Sequence, residues 1–282
     1  MRLELVTLAF NNPLQVKRTL ASVALQLSKP DRHIVLDGSS AQFAASIEKL
    51  SSAANAEYLW REPQGIYPAM NDALDVISPD AYVWFINSSD WLASPESVRI
   101  VRESCQSGDV WLVGGLHRYR DIAAPFHPLP IEPQQFVQFL KQGRTGFAHP
   151  SSIMRRSAIE ECGGFDTRYE IAADYALALD MATSFGAPRI IDFAISVHDP
   201  TGLTSRHRVR HFCEKSRARV RNGASTFAEW RNLLQAALFV GYPVSLGGGD
   251  LGGQRQAAQF SQKESGLGWP EDCVAHLNSW LS

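Results

Sequence analysis

The sequence lacks the features that mark membrane-spanning, disulfide-rich and nucleic-acid-binding chains. No run in its 282 residues approaches the ~20 apolar residues that cross a bilayer. The cysteines form no CxxC pair, which fits neither a structural zinc site nor a disulfide framework. They are Cys105, Cys162, Cys213 and Cys273. With 27 Lys and Arg against 29 Asp and Glu, the net charge of −2 provides no overall basic field for nucleic acid.

Two motifs of common enzyme classes are missing as well. The chain contains neither GxSxG nor GxxxxGK[ST], so the sequence supports neither a nucleophile-elbow hydrolase nor a P-loop kinase. Its first ten residues form a strand pattern without a signal-peptide cleavage site. We therefore expect a cytoplasmic protein with reduced cysteines.

Apolar segments of strand length alternate with segments of helical periodicity over the first ~115 residues. The predicted strands are Leu3 to Phe10, His33 to Asp37, Ala56 to Trp60, Ala81 to Ile86 and Val110 to Gly114. Short alternation of this kind implies crossover connections and helices on both faces of the sheet. The pattern predicts an α/β, Rossmann-like fold with a mostly parallel central sheet.

The rhythm changes after that part of the chain. Residues 117–133 contain four prolines and little periodicity, which is typical of a long loop or a sheet-edge excursion. Further helices and strands continue to about residue 204, where we place the end of the main domain. Residues 205–282 are predicted to be a helical C-terminal accessory region that starts with a basic stretch, Arg206 to Arg221.

Polar residues follow four of the predicted strands. They are Phe10-Asn11, Asp37 to Ser40, Glu62 to Tyr67, and Asn87 to Asp90. In an open parallel sheet, ligands bind beyond the carboxyl ends of the strands. Asp37 could hydrogen-bond a nucleoside, and Asp90 could hold a hard divalent cation together with substrate phosphates. Taken singly, either residue is equally typical of a turn or a helix cap.

Several motifs together resemble glycosyltransferase family 2, the inverting nucleotide-sugar transferases with a GT-A fold, especially members from bacterial polysaccharide biosynthesis. They are VTLAFNN, HIVLDGSS, EPQGIYPAMNDAL, YVWFINSSD, HPSSIMRR and GGFDTRYEIAADYALAL. The resemblance covers residues 1–204. It implies a nucleotide-sugar-binding half over 1–115 and an acceptor and catalytic half over 116–204.

The resemblance implies roles for individual residues. Phe10 and Asp37 would contact the donor base, Tyr67 and Asn71 would flank the donor, and Asp174 would be the catalytic base. In the turn after the fourth strand, Asp90 would bind Mn²⁺ or Mg²⁺, and Ser88 is placed with the donor-binding residues.

Three further residues lie near these motifs. We expect His149 near the acceptor, Trp91 against the sugar because it adjoins Asp90, and His198 as a second metal ligand, since some members of the family place a histidine after this strand. Trp60, Trp84 and Trp111 lie within predicted strands and are expected in the core.

Two positions depart from the family pattern. The metal loop reads Ser88-Ser89-Asp90, with one carboxylate where many members have two. One carboxylate with a diphosphate and waters still suits Mg²⁺. In Glu62 to Gly65 the Asp expected after the proline is missing, which affects donor preference.

The predicted function is metal-assisted transfer of a sugar from a nucleoside diphosphate donor to a hydroxyl with inversion, in surface polysaccharide synthesis. The acceptor would be a saccharide or a lipid-linked saccharide. A catalytically idle sugar-nucleotide-binding protein and a sugar nucleotidyltransferase are the alternatives. Residues 206–244 combine basic and apolar segments, which suit peripheral contact with the inner face of a membrane or, equally, a partner subunit.

Overall fold

A computed structural model describes residues 1–119, 121–126, 133–143, 147–199, 207–227 and 229–230. The strands are β1 (Leu3–Ala9), β2 (Arg32–Asp37), β3 (Glu57–Trp60), β4 (Tyr82–Phe85), β5 (Trp91–Leu92), β6 (Trp111–Arg118), β7 (Asp121–Phe126), β8 (Ser152–Arg155) and β9 (Arg189–His198). The helices are α1 (Pro13–Ala24), α2 (Ala41–Ala53), α3 (Ile66–Val76), α4 (Ser97–Ser104), α5 (Pro133–Lys141), α6 (Arg156–Glu161), α7 (Ala173–Phe185) and α8 (Arg208–Arg221). A short 3₁₀ turn, His149–Ser151, precedes β8.

The first four strands form a parallel set in the order β3, β2, β1, β4. Ala9 at the end of β1 is in register with Asp37 at the end of β2, so these carboxyl ends lie side by side. Successive β1 residues point to opposite faces of the sheet. Val6 packs in the cluster that contains α3, and Leu5 packs in the cluster on the other face. The predicted Rossmann-like alternation is confirmed here.

The second half of the sheet is mixed. β8 lies between β4 and β6 and is antiparallel to both, whereas β6 and β9 are parallel. β5 is antiparallel to β9, and β7 forms an antiparallel pair with β6. The stretch at 117–133 is thus a sheet-edge excursion through Asp121–Phe126, and residues 127–132 lie outside the described ranges.

The three strand tryptophans do not share one environment. Trp84 and Trp111 are buried in the core, as predicted. Trp60 is 46% exposed, so its predicted core position is wrong. The reason is that β3 is at the end of the strand order and leaves one side of Trp60 uncovered. Its indole N–H donates to the Ser39 carbonyl oxygen at 2.9 Å.

Helix α8 falls in the predicted accessory region but packs directly against α7. The Glu214 carboxylate accepts the backbone N–H groups of residues 170–172 at 2.9–3.2 Å, just before α7 begins. Arg221 pairs with Asp166 and Asp180. Across the described ranges no helix is long and apolar enough to cross a membrane. α8 therefore helps to fix the loop that leads into α7.

His33, inside β2, makes the stability of the fold depend on pH. Its ring nitrogen Nε2 lies 3.0 Å from the Thr7 hydroxyl, and burial lowers the pKa of His33 to about 3. In the unfolded chain the His33 imidazole binds a proton as the pH falls through about 6.5, whereas in the folded chain the buried imidazole stays neutral at that pH. Stability is therefore retained above that pH and is lost as the pH falls towards 3.

We expect the free energy of unfolding to fall by up to about 2 kcal/mol from this residue between pH 7 and pH 5. Urea unfolding at the two pH values measures the change. His33→Gln should reduce the pH dependence, whereas the control His207→Gln, at an exposed position, should keep it. Equal pH dependence in wild type and His33→Gln would contradict this assignment.

Candidate active site

The carboxyl ends of β1, β2, β3 and β4 line one cleft with a volume of about 930 Å³. Polar and charged residues from the predicted strand ends line this cleft, together with two polar residues from the second half of the chain, Glu170 and His198. The polar and charged lining residues are Asn11, Asn12, Gln15, Asp37, Arg61, Glu62, Asn87, Ser88, Ser89, Asp90, Glu170 and His198. The parallel register brings these distant segments together, as the sequence predicts.

Asp37 is held rigidly at the end of β2. Its two carboxylate oxygens accept the Ser39 backbone N–H and the Tyr58 hydroxyl, both at 2.9 Å. The neighbouring β1 end is tied to the same turn, because the Asn11 N–H donates to the Ser39 hydroxyl at 2.7 Å. Asn11 adopts a left-handed conformation with φ 54°, which asparagine tolerates better than most residues. The carboxylate thus has a fixed place in the lining.

Phe10 and Arg61 lie at the rim of the cleft near Asp37. The Phe10 ring is 58% exposed although it is a large apolar side chain. Such a ring can stack on the face of a planar ligand. Arg61, the first residue after β3, is the one Lys or Arg among the described residues that line this cleft. A planar surface, a carboxylate and a cation therefore surround this end of the cleft.

Asn12 joins helix α1 to the turn after β4. It occupies the N-cap of α1, but its side chain makes no capping bond. Its amide donates instead to the Ser88 hydroxyl at 2.7 Å and to Gln15 at 2.8 Å. Asn12 therefore positions Ser88 rather than the helix end.

Asp90 and His198 form a pair at the base of the cleft. The carboxylate of Asp90, only 3% exposed, accepts a hydrogen bond from Nδ1 of His198 at 2.8 Å and from the Asp199 N–H at 3.1 Å. Strand β5 sets this pair, because Trp91 is in antiparallel register with Val197. The residues that adjoin this register, Asp90 and His198, are consequently opposite each other.

The charge state of His198 follows from that pair. Burial disfavours the imidazolium, but the hydrogen bond and charge of Asp90, helped by Asp199, outweigh burial and raise the pKa of His198 above its usual value. The two side chains offer a carboxylate and an imidazole side by side. No group of three or more His, Cys, Asp or Glu suited to a metal occurs in the described part of the chain.

Asp174 lies at the start of α7, behind the wall of the cleft that Tyr67 forms. The Tyr67 hydroxyl donates to Oδ1 of Asp174 at 3.1 Å, and the Tyr175 N–H donates to the same oxygen at 2.8 Å. Oδ2 has no hydrogen-bond partner among the described residues. Burial, together with the charge of Asp174, raises the pKa of Tyr67 well above its usual value. Tyr67 therefore stays a donor, and Oδ2 is left to accept another proton.

Asn71, predicted to flank the donor, is used elsewhere. Its amide donates to the Phe165 carbonyl and accepts the Phe165 N–H, both at 2.8 Å. It is not among the cleft-lining residues. A side chain at Gly164, where φ is 75°, would meet the Asn71 oxygen at 2.9 Å. The two hydrogen bonds between Asn71 and Phe165 thus clamp α3 to the turn at residues 163–165.

Trp91 and His149 are also not placed where the sequence analysis expects them. Trp91 is 0% exposed, and the Arg18 guanidinium covers its ring at 3.4 Å. Trp91 thus faces the interior and is not among the residues that line the cleft, so its predicted contact with the sugar remains a prediction that the geometry does not support. His149 is 9% exposed and stacks on Phe85 at 5.8 Å between ring centroids. Burial lowers the pKa of His149, and it does not line the cleft.

Sequence reasoning missed several residues of the cleft. Arg61 precedes the predicted strand-end segment by one residue, so the strand-end rule could have found it. Glu170 lines the cleft from the loop before α7, and although it stands in the quoted GGFDTRYEIAADYALAL motif, the sequence analysis assigned it no role. Its place depends on the Glu214 contacts from α8, which are remote in sequence.

Proteins of similar fold identify the class. The structure is similar to TarS 1–349 of S. aureus in complex with UDP-GlcNAc, with a TM-score of 0.63 and 14% identity over 99% of this chain and 88% of that one. It is also similar to the mannosyltransferase PcManGT from Pyrobaculum calidifontis in complex with GDP-Man and Mn²⁺, with a TM-score of 0.54 and 14% identity over 99% and 87% of the two chains. The fold is that of the GT-A glycosyltransferases.

The sequence comparison gives the family. Residues 5–163 match the model described as Glycosyl transferase family 2, and the chain belongs to that family. Uncharacterized glycosyltransferases from two strains of Mycobacterium tuberculosis are 29% identical over 215 residues, which is 72% of this chain and 76% of theirs. The protein is therefore a glycosyltransferase.

The Asn71 clamp predicts a structural effect. Asn71→Ala removes two hydrogen bonds and leaves both polar groups of the Phe165 backbone without their partner, so we expect a loss of about 2 kcal/mol in the free energy of unfolding. Chemical denaturation measures it. Asp75→Ala, at an exposed position on the same helix, is the control and should change stability little. If Asn71→Ala kept the stability of the wild type and bound nucleotide more weakly, the result would contradict the structural role and support a place for Asn71 in the donor site.

Proposed function

We propose that this glycosyltransferase moves a sugar from a nucleoside diphosphate sugar to an acceptor hydroxyl, in a single displacement with inversion. The observation that carries the proposal is the hydrogen bond between Tyr67, which lines the cleft, and Asp174. It links a candidate base to the cleft that contains Asp37 and Asp90. The fold neighbours named above are complexes with UDP-GlcNAc and with GDP-Man and Mn²⁺, which agrees with a nucleotide-sugar donor.

The donor nucleotide is assigned to the end of the cleft near Asp37. Phe10 offers an apolar face for the base, and Asp37 offers carboxylate oxygens whose positions are fixed by Ser39 and Tyr58. Arg61 supplies a positive charge at the same rim. Ser88 is held by its hydrogen bond with Asn12 and lies two residues before Asp90 in the sequence. It is the proposed contact for the middle of the donor.

Asp90 and His198 are the proposed ligands of a divalent cation. A carboxylate beside an imidazole, both in the lining of the cleft, fits Mg²⁺ or Mn²⁺ that takes its remaining ligands from the donor diphosphate and water. When bound, such an ion neutralises negative charge on the leaving diphosphate. Asp199 adds its backbone N–H to the Asp90 carboxylate and so keeps the carboxylate in place.

Asp174 is the proposed base. Its Oδ2 can accept the proton of the acceptor hydroxyl while the oxygen of that hydroxyl bonds to the anomeric carbon and the bond to the diphosphate breaks. The Tyr67 hydroxyl and the Tyr175 N–H both donate to Oδ1, so the carboxylate is oriented before the acceptor arrives. One base and no protein nucleophile correspond to inversion at the anomeric carbon.

The proposed acceptor is a saccharide, free or lipid-linked, in the synthesis of a surface polysaccharide, and the proposed location is the cytoplasm at the inner face of a membrane. The exposed side of α8 supports the membrane contact, since Arg210 and Arg217 are exposed there. Phe227 and Trp230 expose large apolar side chains just beyond that helix. Residues 231–244 of the predicted contact segment lie outside the described ranges.

The catalytic assignment predicts different losses in two variants. Asp174→Asn should bind the donor normally and lose sugar transfer by about a hundredfold or more, the size typical of a lost general base. Asp90→Asn should lose the metal-dependent part of donor binding. Release of nucleoside diphosphate and the Kd for the donor, each with and without Mn²⁺, are the measurements. Asp75→Asn is the matched carboxylate control.

The same measurements separate the alternatives. Tight donor binding without turnover in the wild type, with all acceptors tested, would indicate an idle sugar-nucleotide-binding protein. Formation of a nucleotide sugar from a nucleoside triphosphate would indicate a nucleotidyltransferase. Equal turnover by wild type and Asp174→Asn would contradict the assigned base.

The membrane contact predicts that the full chain sediments with vesicles rich in anionic lipid at low salt and is released as salt increases. Arg217→Gln should weaken the binding, because a basic residue near the surface contributes about 1 kcal/mol. Vesicles of neutral lipid provide the comparison. Absence of sedimentation with anionic vesicles would contradict membrane contact.

A further inference from the structure

The cations on the inner side of α8 differ in how their charges are compensated. Arg219 is buried and pairs with Glu229 through two hydrogen bonds of 2.6 and 2.8 Å. Glu214 is occupied by the backbone of residues 170–172. Lys215 lies between them in the sequence and forms no ion pair with any described carboxylate. Among these three charged residues, Lys215 is therefore the one without a salt bridge or a charged hydrogen-bond partner in the described part of the chain.

Lys215 is nevertheless held in one place. Its ammonium lies 4.4 Å from the centre of the Tyr175 ring and donates to the Gly143 carbonyl at 3.3 Å. Tyr175 is itself fixed, because its hydroxyl donates to the Leu140 carbonyl. Burial, assisted by the charge of Arg219, lowers the pKa of Lys215 to about 8. A buried ammonium that forms no salt bridge with a described carboxylate would gain from a bound anion.

The position of Lys215 relates it to the candidate base. Tyr175, against which it packs, follows Asp174 directly in α7. The charge of Asp174 raises the pKa of Lys215 against the larger lowering by burial. Asp174 therefore has Tyr67 and the donor cleft on one side, and the next residue of α7 carries the ring on which Lys215 packs.

We propose that Lys215 binds a phosphate or carboxylate group of the acceptor, close to the hydroxyl that Asp174 deprotonates. The inference rests on the proposed function, since it identifies the chemical class of the acceptor for that reaction. An anionic acceptor would place its charge against the ammonium and its hydroxyl at Oδ2. A neutral acceptor would leave the Lys215 ammonium without a salt bridge.

A lysine suits this role because its ammonium is a compact charge that pairs with phosphate or carboxylate from several directions. A charge-assisted hydrogen bond of this kind is typically about twice as strong as one between neutral groups. Because Lys215 packs on Tyr175, which directly follows Asp174, the bound anion has to be close to the hydroxyl but separate from Oδ2. Acceptors with an anionic group on the same or the adjacent sugar meet this condition.

Direct binding tests the proposal. The full chain, with Mn²⁺ and the nucleoside diphosphate that it binds, is titrated calorimetrically with glucose 6-phosphate, mannose 1-phosphate and glucuronate. The uncharged methyl glycoside of each sugar is titrated in parallel. We expect at least one charged sugar to bind about tenfold or more tightly than its uncharged partner, as one charge-assisted hydrogen bond provides.

Variants assign the effect to Lys215. Lys215→Met keeps the aliphatic part of the side chain and removes the charge, so it should abolish the preference for the charged sugar while the affinity for the uncharged one is unchanged. Arg217→Met, at an exposed position on the same helix, should keep the preference. Thermal unfolding checks that both variants are folded. If Lys215 had a merely structural role, Lys215→Met would weaken the binding of the charged and of the uncharged sugar equally.

The source of the anion is resolved by a second set of ligands. A sugar linked to polyprenyl phosphate in neutral micelles is compared with the soluble sugar phosphates, so binding only of the former identifies a lipid-linked acceptor. Equal affinities for all charged and uncharged ligands, or a preference that survives in Lys215→Met, would overturn the proposal. Failure of the wild type to bind any nucleotide would instead contradict the proposed function. The Kd of the nucleoside diphosphate for Lys215→Met, compared with that for the wild type, reports whether the donor site is intact.

Discussion

The hydrogen bond between Asp90 and His198 depends on a strand of two residues. Between β4, which precedes Asp90, and β9, which ends at His198, the sheet inserts β8 and β6. Strand β5 crosses this distance and pairs with β9, so that a carboxylate from one half of the chain meets an imidazole 108 residues away. Without this register the two halves of the fold would share a sheet but not a binding site.

The pairing of β5 with β9 also shows which parts of the site can be predicted from the sequence and which cannot. Asp37 and Asp90 follow apolar strands, and parallel strands align their carboxyl ends, so local patterns were sufficient to bring them together. The fold class followed from the same alternation. The partnership of Asp90 with His198 depends on a non-local antiparallel pairing for which the local sequence contains no signal, and only the family resemblance suggested that histidine.

Side-chain direction was the other limit. Trp91 adjoins Asp90 in sequence, yet it is a strand residue whose face is covered by Arg18, whereas Trp60 in the outermost strand β3 has an uncovered face. Asn71 stands within the motif that also supplies Tyr67, four residues earlier, but it binds the backbone of Phe165. Residue type and spacing identify a motif, and tertiary packing determines which of its members face the ligand.

The carboxylate of Glu214 has a consequence for how the molecule opens. It satisfies three consecutive backbone N–H groups that would otherwise lie free at the approach to α7. Detachment of α8 would release those amides together, so the helix and the segment that leads into α7 form a single unit of local unfolding. Amide hydrogen exchange in residues 170–172 would then proceed at the rate set by α8, and a ligand on the far side of that helix would also order the start of α7.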